Sequence, residues 1–391
     1  MLLYFTMSYS FIDKQKDFND LCSSLAKHEY ISLDTESNSL YAYKEKLCLL
    51  QISSDRINAV VDTLAVDLKP ILPIFADPAV EKIFHSADSD IRVFKGAVKC
   101  AFVNIFDVMV AAKYLGIIKC GLDSMVKEFF QVELNKKFQK ADWGRRPLSK
   151  EMLDYASGDT IYLKKLRDLL GAQLEAKGRL EEARGQFEHI CRIEPTPMRF
   201  DESGFLTLKG ARQLNGRGLA VLRELYIARE VAAIKKDTPP FKVISEDLML
   251  RLSVAPREGL HNLSIFKGVS GYVLANHGPW IREALQKGLN APPYHVPHRE
   301  LSREKRAYFE TVKNRFKALR LWRKETAARR NMLPEAILGN DILERLAMAQ
   351  IRSMADLQAI KGLGAEKASL YGPELLEFLK KHHQTGKPGR Q

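Results

Sequence analysis

Three stretches in the first half of the chain set acidic side chains among apolar neighbours, where they would be costly without a purpose. Ile31-Ser32-Leu33-Asp34-Thr35-Glu36 reads as a strand, and side chains two apart in a strand share a face, so Asp34 and Glu36 project together. Two adjacent carboxylates repel one another unless a cation or a proton lies between them; a solvated strand end running into a turn is the plainer alternative. In Ile83-Phe84-His85-Ser86-Ala87-Asp88-Ser89-Asp90-Ile91 a strand runs into a helix, whose first turn favours an acid. Capping accounts for one of Asp88 and Asp90 and leaves the other available, while His85 reads as a hydrogen-bonded structural residue. In the third stretch, Tyr155 and Asp159 stand four apart, one helical turn on the same face, beside apolar Leu153, Ala156 and Leu163. A structural Tyr–Asp contact would use the same spacing.

The segments that must position these groups alternate between the two regular periods. Strands are predicted at Tyr30–Glu36, Lys46–Ser53, Arg56–Asp62, Val80–His85 and Phe102–Phe106. Helices are predicted at Leu68–Phe75, Ser89–Lys95, Asp107–Leu115 and Leu122–Phe130, and one long helix from an N-cap at Ser149 to Lys177. Three consecutive strands followed by β/α alternation imply a mixed sheet flanked by helices. The run Glu194-Pro195-Thr196-Pro197 marks a domain boundary.

Beyond it the chain repeats itself at a constant offset of 94 residues. Asp247-Leu248-Met249-Leu250-Arg251-Leu252 matches Asp341-Ile342-Leu343-Glu344-Arg345-Leu346, Phe266-Lys267-Gly268-Val269 matches Ile360-Lys361-Gly362-Leu363, and Pro240 falls on Pro334. Two all-helical modules of about 80 residues are implied, joined by the hinge Ala291-Pro292-Pro293-Tyr294-His295-Val296-Pro297.

Composition bounds what this assembly can be. At 391 residues the chain has room for about two to four domains. No apolar run reaches the roughly 18–20 residues of a membrane span. Met1-Leu2-Leu3-Tyr4-Phe5 is too short and lacks the basic flank of a secretory signal, and Met7 is an alternative initiator. The five cysteines form no CxxC pair, which fits a reducing cytoplasm. Residues 1–200 hold 28 Lys+Arg against 28 Asp+Glu, whereas 201–391 hold 33 against 20, so the excess of +13 lies wholly in the second half. It peaks over Arg299–Arg330, with 12 basic residues against 4 Glu. A neutral front and a basic back suggest a core unit followed by a polyanion-binding unit; a merely solubilising surface is the alternative.

Taken together, a D-x-E strand, an H-x-x-x-x-D segment and a late Y-x-x-x-D resemble the DEDD exonuclease superfamily in its tyrosine-bearing branch. The words Phe84-His85-Ser86-Ala87-Asp88-Ser89-Asp90, Ala141-Asp142-Trp143 and Arg146-Pro147-Leu148 are similar to those of the ribonuclease D family and its nuclear exosome relatives. Both 94-offset copies resemble the HRDC module, with Pro239-Pro240 and the Lys-Gly-hydrophobic-Gly stretch as markers. The resemblance implies an α/β exonuclease domain with an RNase H-like mixed sheet over residues 1–194, then all-α HRDC domains over 212–290 and 301–383.

It also implies a 3′–5′ exoribonuclease that trims structured RNA, with precursor tRNA as substrate and nucleoside 5′-monophosphates as products. By the same resemblance Asp34, Glu36, Asp90 and Asp159 hold two Mg²⁺ ions, with Mn²⁺ a possible substitute, and Tyr155 orients the attacking water. Asp34 would bridge both ions, Glu36 and Asp159 would complete the nucleophile side, and Asp90 would serve the leaving group. Asp88 and Asp154 are assigned no part in this. Two ions about 3.5–4 Å apart can activate water and neutralise the transition state, whereas a phenol of pKa about 10 is a poor base at pH 7. Lys137, Arg145 and Arg146 are candidates for holding phosphates near the site, alongside Lys136 and Lys140. The Asn38-Ser39-Leu40-Tyr41 strand exit is a candidate for stacking terminal bases. Arg306, Lys313 and Arg320 are candidates for an RNA-backbone grip on an amphipathic segment with Phe309, Phe316 and Leu319 inside. A monomer acting on RNA with a single-stranded 3′ end, with no membrane partner, is the expectation. Its rivals are a DNA exonuclease of the same superfamily and a non-catalytic nucleic-acid-binding protein.

Overall fold

The segment Leu47–Ser53 (LCLLQIS) is buried at every residue, which only an interior strand covered on both faces can be. In the computed structural model, which describes residues 8–196, 199–296 and 302–383, it is β3 of a six-stranded sheet. The other strands are β1 (Ser10–Ile12), β2 (Tyr30–Ser37), β4 (Asn58–Asp62), β5 (Glu81–Phe84) and β6 (Ile105–Asp107), in the order β1-β4-β3-β2-β5-β6. β2, β3 and β4 are antiparallel neighbours, while β1 joins β4 and β5 and β6 extend β2 in parallel. The predicted mixed sheet is therefore present, with one strand more than the apolar pattern revealed. The leader Met1–Phe5, Met7, Pro197, Pro297 and Arg299 lie outside the described residues.

Helices α1 (Gln15–Leu25), α2 (Leu72–Ala76), α3 (Ala87–Ala97), α4 (Val108–Leu115), α5 (Leu122–Phe130), α6 (Lys150–Ala156), α7 (Leu163–Ala176) and α8 (Leu180–Cys191) flank the sheet. Two expectations need correction. The strand at Phe102–Phe106 is reduced to Ile105–Asp107. The long helix from Ser149 to Lys177 is two helices, because Ser157-Gly158-Asp159 interrupts it: Ser157 turns its hydroxyl back to the Asp154 carbonyl, and serine, glycine and aspartate are all weak helix formers.

The second half is two copies of one helical pattern. The first has α9 (Gly216–Lys236), α10 (Pro240–Val243), α11 (Glu246–Val254), α12 (Pro256–His261) and α13 (Gly271–Asn290); the second has α14 (Arg303–Arg330), α15 (Pro334–Ile337), α16 (Asn340–Met348), α17 (Met354–Gln358) and α18 (Ala365–His383). Most helix bounds coincide at the 94-residue offset, and so do the backbone reversals. Asp237 and Asn331 end their long helices with φ of 44° and 47°, and Gly268 and Gly362 turn with φ of 102° and 90°.

The copies attach to the sheet domain differently. The first closes its own core around Phe205, Leu225, Leu252 and Leu285. It touches the sheet domain through polar groups near the loop after β2: Tyr43 bonds Glu230, the Tyr43 amide donates to Asp237 at 3.2 Å, and Lys242 lies 3.5 Å over the Tyr41 ring. The second copy shares one continuous core with the sheet domain, in which Leu319, Ile337 and Leu375 join Ala112 and Phe187. Across that junction Arg330 donates to both oxygens of Glu182 at 3.0 and 2.9 Å, and the Tyr371 hydroxyl donates to Glu182 at 2.5 Å.

Not all of the basic side chains of α14 face solvent. Arg315 and Arg323 are buried, donating to the Ala347, Ala349 and Leu338 carbonyls, and Phe309, expected inside, is 51% exposed.

Because Glu182 is 4% exposed and answers two donors, removing it leaves the half-buried Arg330 guanidinium and the Tyr371 hydroxyl without their shared acceptor. Glu182→Ala is expected to destabilise the whole chain by roughly 2 kcal/mol, read as one cooperative thermal transition moving down. Glu283→Ala, at an exposed ion pair with Lys287 within α13, should shift the melting temperature by less than about 1 °C.

Candidate active site

Period-two alternation on β2 puts Asp34 and Glu36 on one face, and the chain break after α6 brings Asp159 to them. One carboxylate oxygen from each of Asp34, Glu36 and Asp159 lies within 4.8 Å of the others. Asp90 is not part of that triplet but adjoins it: Thr35, between the two strand acids, donates its hydroxyl to Asp90 at 2.6 Å. Tyr155 is therefore not one turn from Asp159 on a continuous helix. It lies in the last turn of α6, and Asp159 lies in the following turn, its amide bonded to the Ala156 carbonyl.

Burial is the first cause of every shifted ionisation here, and mutual charge the second. Asp34 is raised well above the ordinary carboxylate value by burial and by Asp159. Glu36 is pushed up to about 10 by burial, then by Asp34, Asp159 and Asp90. Asp90 is raised by burial and by Asp34, and burial lifts Asp159 to about 7. Tyr155 is raised by burial and by the same three carboxylates of the triplet, so its phenol stays protonated. A cluster of this kind needs protons or a cation to stay together. Oxygen-only donors at this spacing fit a hard divalent ion.

The rest of the fold is arranged around these groups. Asp107, assigned no chemistry from sequence, is buried and accepts four backbone N–H bonds. Ser86 and Ala87 donate at 3.1 and 2.8 Å, and Met109 and Val110 at 2.8 and 3.0 Å. It thus caps α4 and pins the start of α3, where Ser86 turns with φ of 68° and from which Asp90 projects. His85 bonds the Cys120 carbonyl at 2.9 Å, a structural role. Tyr155 stands on a small second core of Cys48, Leu49, Val60, Trp143 and Ala156, with Trp143 stacked at 6.0 Å and Phe138 edge-on at 6.0 Å.

Of the nearby acids, Asp88 pairs with Arg92 at 2.9 Å and Asp154 with Lys150 at 2.7 Å, both outside the cluster. Among the basic candidates Lys137 and Arg145 are exposed, with the Lys137 ammonium 5.2 Å over the Phe138 ring. Arg306, Lys313 and Arg320 are exposed on α14. Arg146 corrects its expectation. Its Nε and Nη2 grip both oxygens of Asp62 at 2.6 Å, Nη1 donates to the Trp143 and Arg145 carbonyls, and Nη2 to the Cys48 carbonyl. A guanidinium has five N–H donors, and all are taken by the protein. Thr35, Asp107 and Trp143 were not singled out by type or spacing, since each acts through a partner that only the fold supplies. A cavity of about 540 Å³ near the far end of β5, lined by Glu81, Phe106, Arg167 and Phe187, contains none of the clustered acids.

Comparison with known proteins agrees with this architecture. Residues 9–175 match the 3′-5′ exonuclease family model, and residues 312–379 match the HRDC domain. Ribonuclease D of Granulibacter bethesdensis is 28% identical over 98% of this chain and 96% of its own length. The catalytic core of RRP6 from Trypanosoma brucei superposes with a TM-score of 0.66 at 28% identity, covering 74% of this chain and 81% of that one. Escherichia coli RNase D shares the fold with a TM-score of 0.65 at 22% identity, over 96% of this chain and 99% of that one. With an exonuclease sheet domain in front, a helical HRDC region behind and similarity to ribonuclease D along nearly its whole length, the chain is a 3′–5′ exoribonuclease similar to ribonuclease D.

Proposed function

We propose that Asp34, Glu36, Asp90 and Asp159 form the catalytic centre with Tyr155 and hydrolyse the terminal phosphodiester of an unpaired RNA 3′ end, releasing nucleoside 5′-monophosphates. The observation that carries this reading is the convergence of Asp34 and Glu36 on β2 with Asp159, more than 120 residues later in the chain, within 4.8 Å of one another. A pair of divalent ions, Mg²⁺ by ligand hardness with Mn²⁺ able to replace it, supplies charge neutralisation and water activation when bound. Asp34, whose charge acts on both Glu36 and Asp90, would serve both ions, and Glu36 and Asp159 would complete the nucleophile side. Asp90, held by Thr35 and outside the close triplet, would serve the leaving-group side. Tyr155 keeps its proton and orients the water by donating or accepting a hydrogen bond; it is no base.

The substrate we infer is a folded RNA with a protruding 3′ strand, precursor tRNA by family resemblance. The exposed Arg306, Lys313 and Arg320 on α14, with Lys137 and Arg145 nearer the site, hold phosphates without reading bases. The domain division we propose is the exonuclease unit to residue 194 and HRDC modules at 212–290 and 301–383, supported by the coincident helix bounds. We place the protein in the cytoplasm as a monomer. The five unbridged cysteines support that setting, and no helix among the described residues is long and apolar enough to cross a membrane.

Asp90→Asn is expected to abolish RNA hydrolysis in Mg²⁺ or Mn²⁺, while Asp154→Asn keeps most of it; equal loss in a 3′-labelled oligoribonucleotide assay would overturn the assignment. Matched RNA and DNA oligonucleotides should separate by rate in favour of RNA, and comparable turnover would restore the DNA exonuclease reading.

Acids whose folded pKa is raised favour folding below the ordinary carboxylate range and lose that contribution as pH rises through the folded value. The metal-free protein should therefore lose thermal stability between about pH 5 and pH 8, through the range where Asp159 titrates at about 7. Mg²⁺ should restore it progressively more as pH rises. Glu36→Gln should raise the metal-free melting temperature at pH 8 by about 2 °C or more and abolish the Mg²⁺ effect. A wild-type melting temperature flat across that pH range, with no response to Mg²⁺, would refute the reading.

A further inference from the structure

The five donors of Arg146 tie its own loop to the paired strands β3 and β4. Two go to Asp62 at the end of β4, one to the Cys48 carbonyl on β3, and two to the Trp143 and Arg145 carbonyls of its own loop. The Asp62 carboxylate is 8% exposed and receives a forked, two-bond grip, the strongest and most directional form of this interaction. The loop it ties down carries Trp143, which is 1% exposed and lies against the Tyr155 ring. Gly144 of the same loop abuts Asn38, so closely that a Cβ there would meet the Asn38 amide at 2.9 Å. Asn38 in turn ends the strand that bears Asp34 and Glu36, accepting the Lys46 amide at 2.8 Å.

We infer that Arg146 and Asp62 are positioning residues for the hydrolysis, acting through Trp143 to set the Tyr155 hydroxyl against the Asp34–Glu36–Asp159 cluster. This rests on the reading of Tyr155 given above. The core beneath Tyr155 is small, with Cys48, Leu49, Val60, Trp143 and Ala156 as its buried members. Apolar contacts of that extent fill space but do not fix an aromatic ring in rotation or in height above the sheet. The loop from Phe138 to Leu148 contains no helix or strand to hold it. A planar fork anchored to two adjacent strands supplies the missing direction. Displacing a water-orienting hydroxyl by about 1 Å can cost up to 10²-fold in rate without touching the bound ions or the RNA.

The test is a double-mutant cycle on a short single-stranded oligoribonucleotide under single-turnover conditions in Mg²⁺. Tyr155→Phe should lower kcat by about 10²-fold. Arg146→Lys, which keeps the charge but not the fork, and Asp62→Asn, which keeps the shape but weakens the grip, should each lower kcat by roughly tenfold or more with KM changed less than about twofold. In the Tyr155→Phe background both should cost less than about twofold. Trp143→Phe should resemble them, and its own loss should likewise vanish beside Tyr155→Phe.

Multiplicative losses in the Tyr155→Phe background would overturn the inference, as would an effect on KM alone. So would variants that lose their native circular dichroism at 25 °C, since the pair would then be general scaffolding. A Tyr155→Phe enzyme with full activity would instead overturn the role of the tyrosine itself, a failure separable from the first.

Discussion

Everything in the sheet domain answers to one constraint: carboxylates brought together out of water repel and must be held against that repulsion. Asp34 and Glu36 gain proton affinity chiefly from burial and then from neighbouring carboxylates, and Asp159 gains it from burial. Strand alternation pairs Asp34 with Glu36, but no local sequence preference would bring Asp159 to them. Their gathering is imposed by elements stable for other reasons: β2 is fixed by pairing to β3 and β5, α3 by Asp107, and α6 by its small core. The fold contributes the free energy that holds them together, a cost that a bound divalent cation would offset.

That division of labour explains why the supporting shell is built from strong, directional polar contacts. Asp107 satisfies four amides at two helix starts, and Arg146 spends five donors on two strands and one loop. Hydrophobic contact alone is tolerant of small rotations, whereas the chemistry at the cluster is not. Buried ion pairs of this sort contribute little net stability relative to apolar replacements. Their retention here is better explained by geometry than by stability.

The acids of the site were legible because period-two spacing in a strand and an acid-rich helix start are local patterns. Asp34 and Glu36 could be nominated from such patterns, which left Asp88 and Asp90 open, and the family resemblance chose Asp90. What local pattern could not show were distinctions that depend on partners. Arg145 and Arg146 are adjacent and alike in type, yet one is exposed and the other is consumed by Asp62. Arg315 and Arg323 sit in the most basic stretch of the chain but are buried under the carbonyl ends of later helices. The continuous helix drawn through Tyr155 and Asp159 failed for a similar reason: the spacing of four matched a helical turn, but a Ser-Gly-Asp break delivers Asp159 more directly to β2. The short β1 was missed because three residues carry too little periodicity to register.

The 94-residue repeat was legible down to its backbone reversals, yet its two copies have diverged in how they are joined to the sheet domain. The second is welded by a shared apolar core and by Glu182, at a helix of the sheet domain that bears none of the clustered acids. The first closes its own core and meets the loop that follows the acidic strand, through Tyr41, Tyr43 and Lys46. Interfaces made of a few exposed polar contacts open at far lower free energy than shared cores do. Of the two, the first copy is thus the more easily detached from the sheet domain, and the second, which bears the exposed Arg306, Lys313 and Arg320, is the more firmly fixed. The proposed RNA-backbone grip on α14 therefore stands in a set relation to the acidic cluster, which a module joined by polar contacts alone would not ensure.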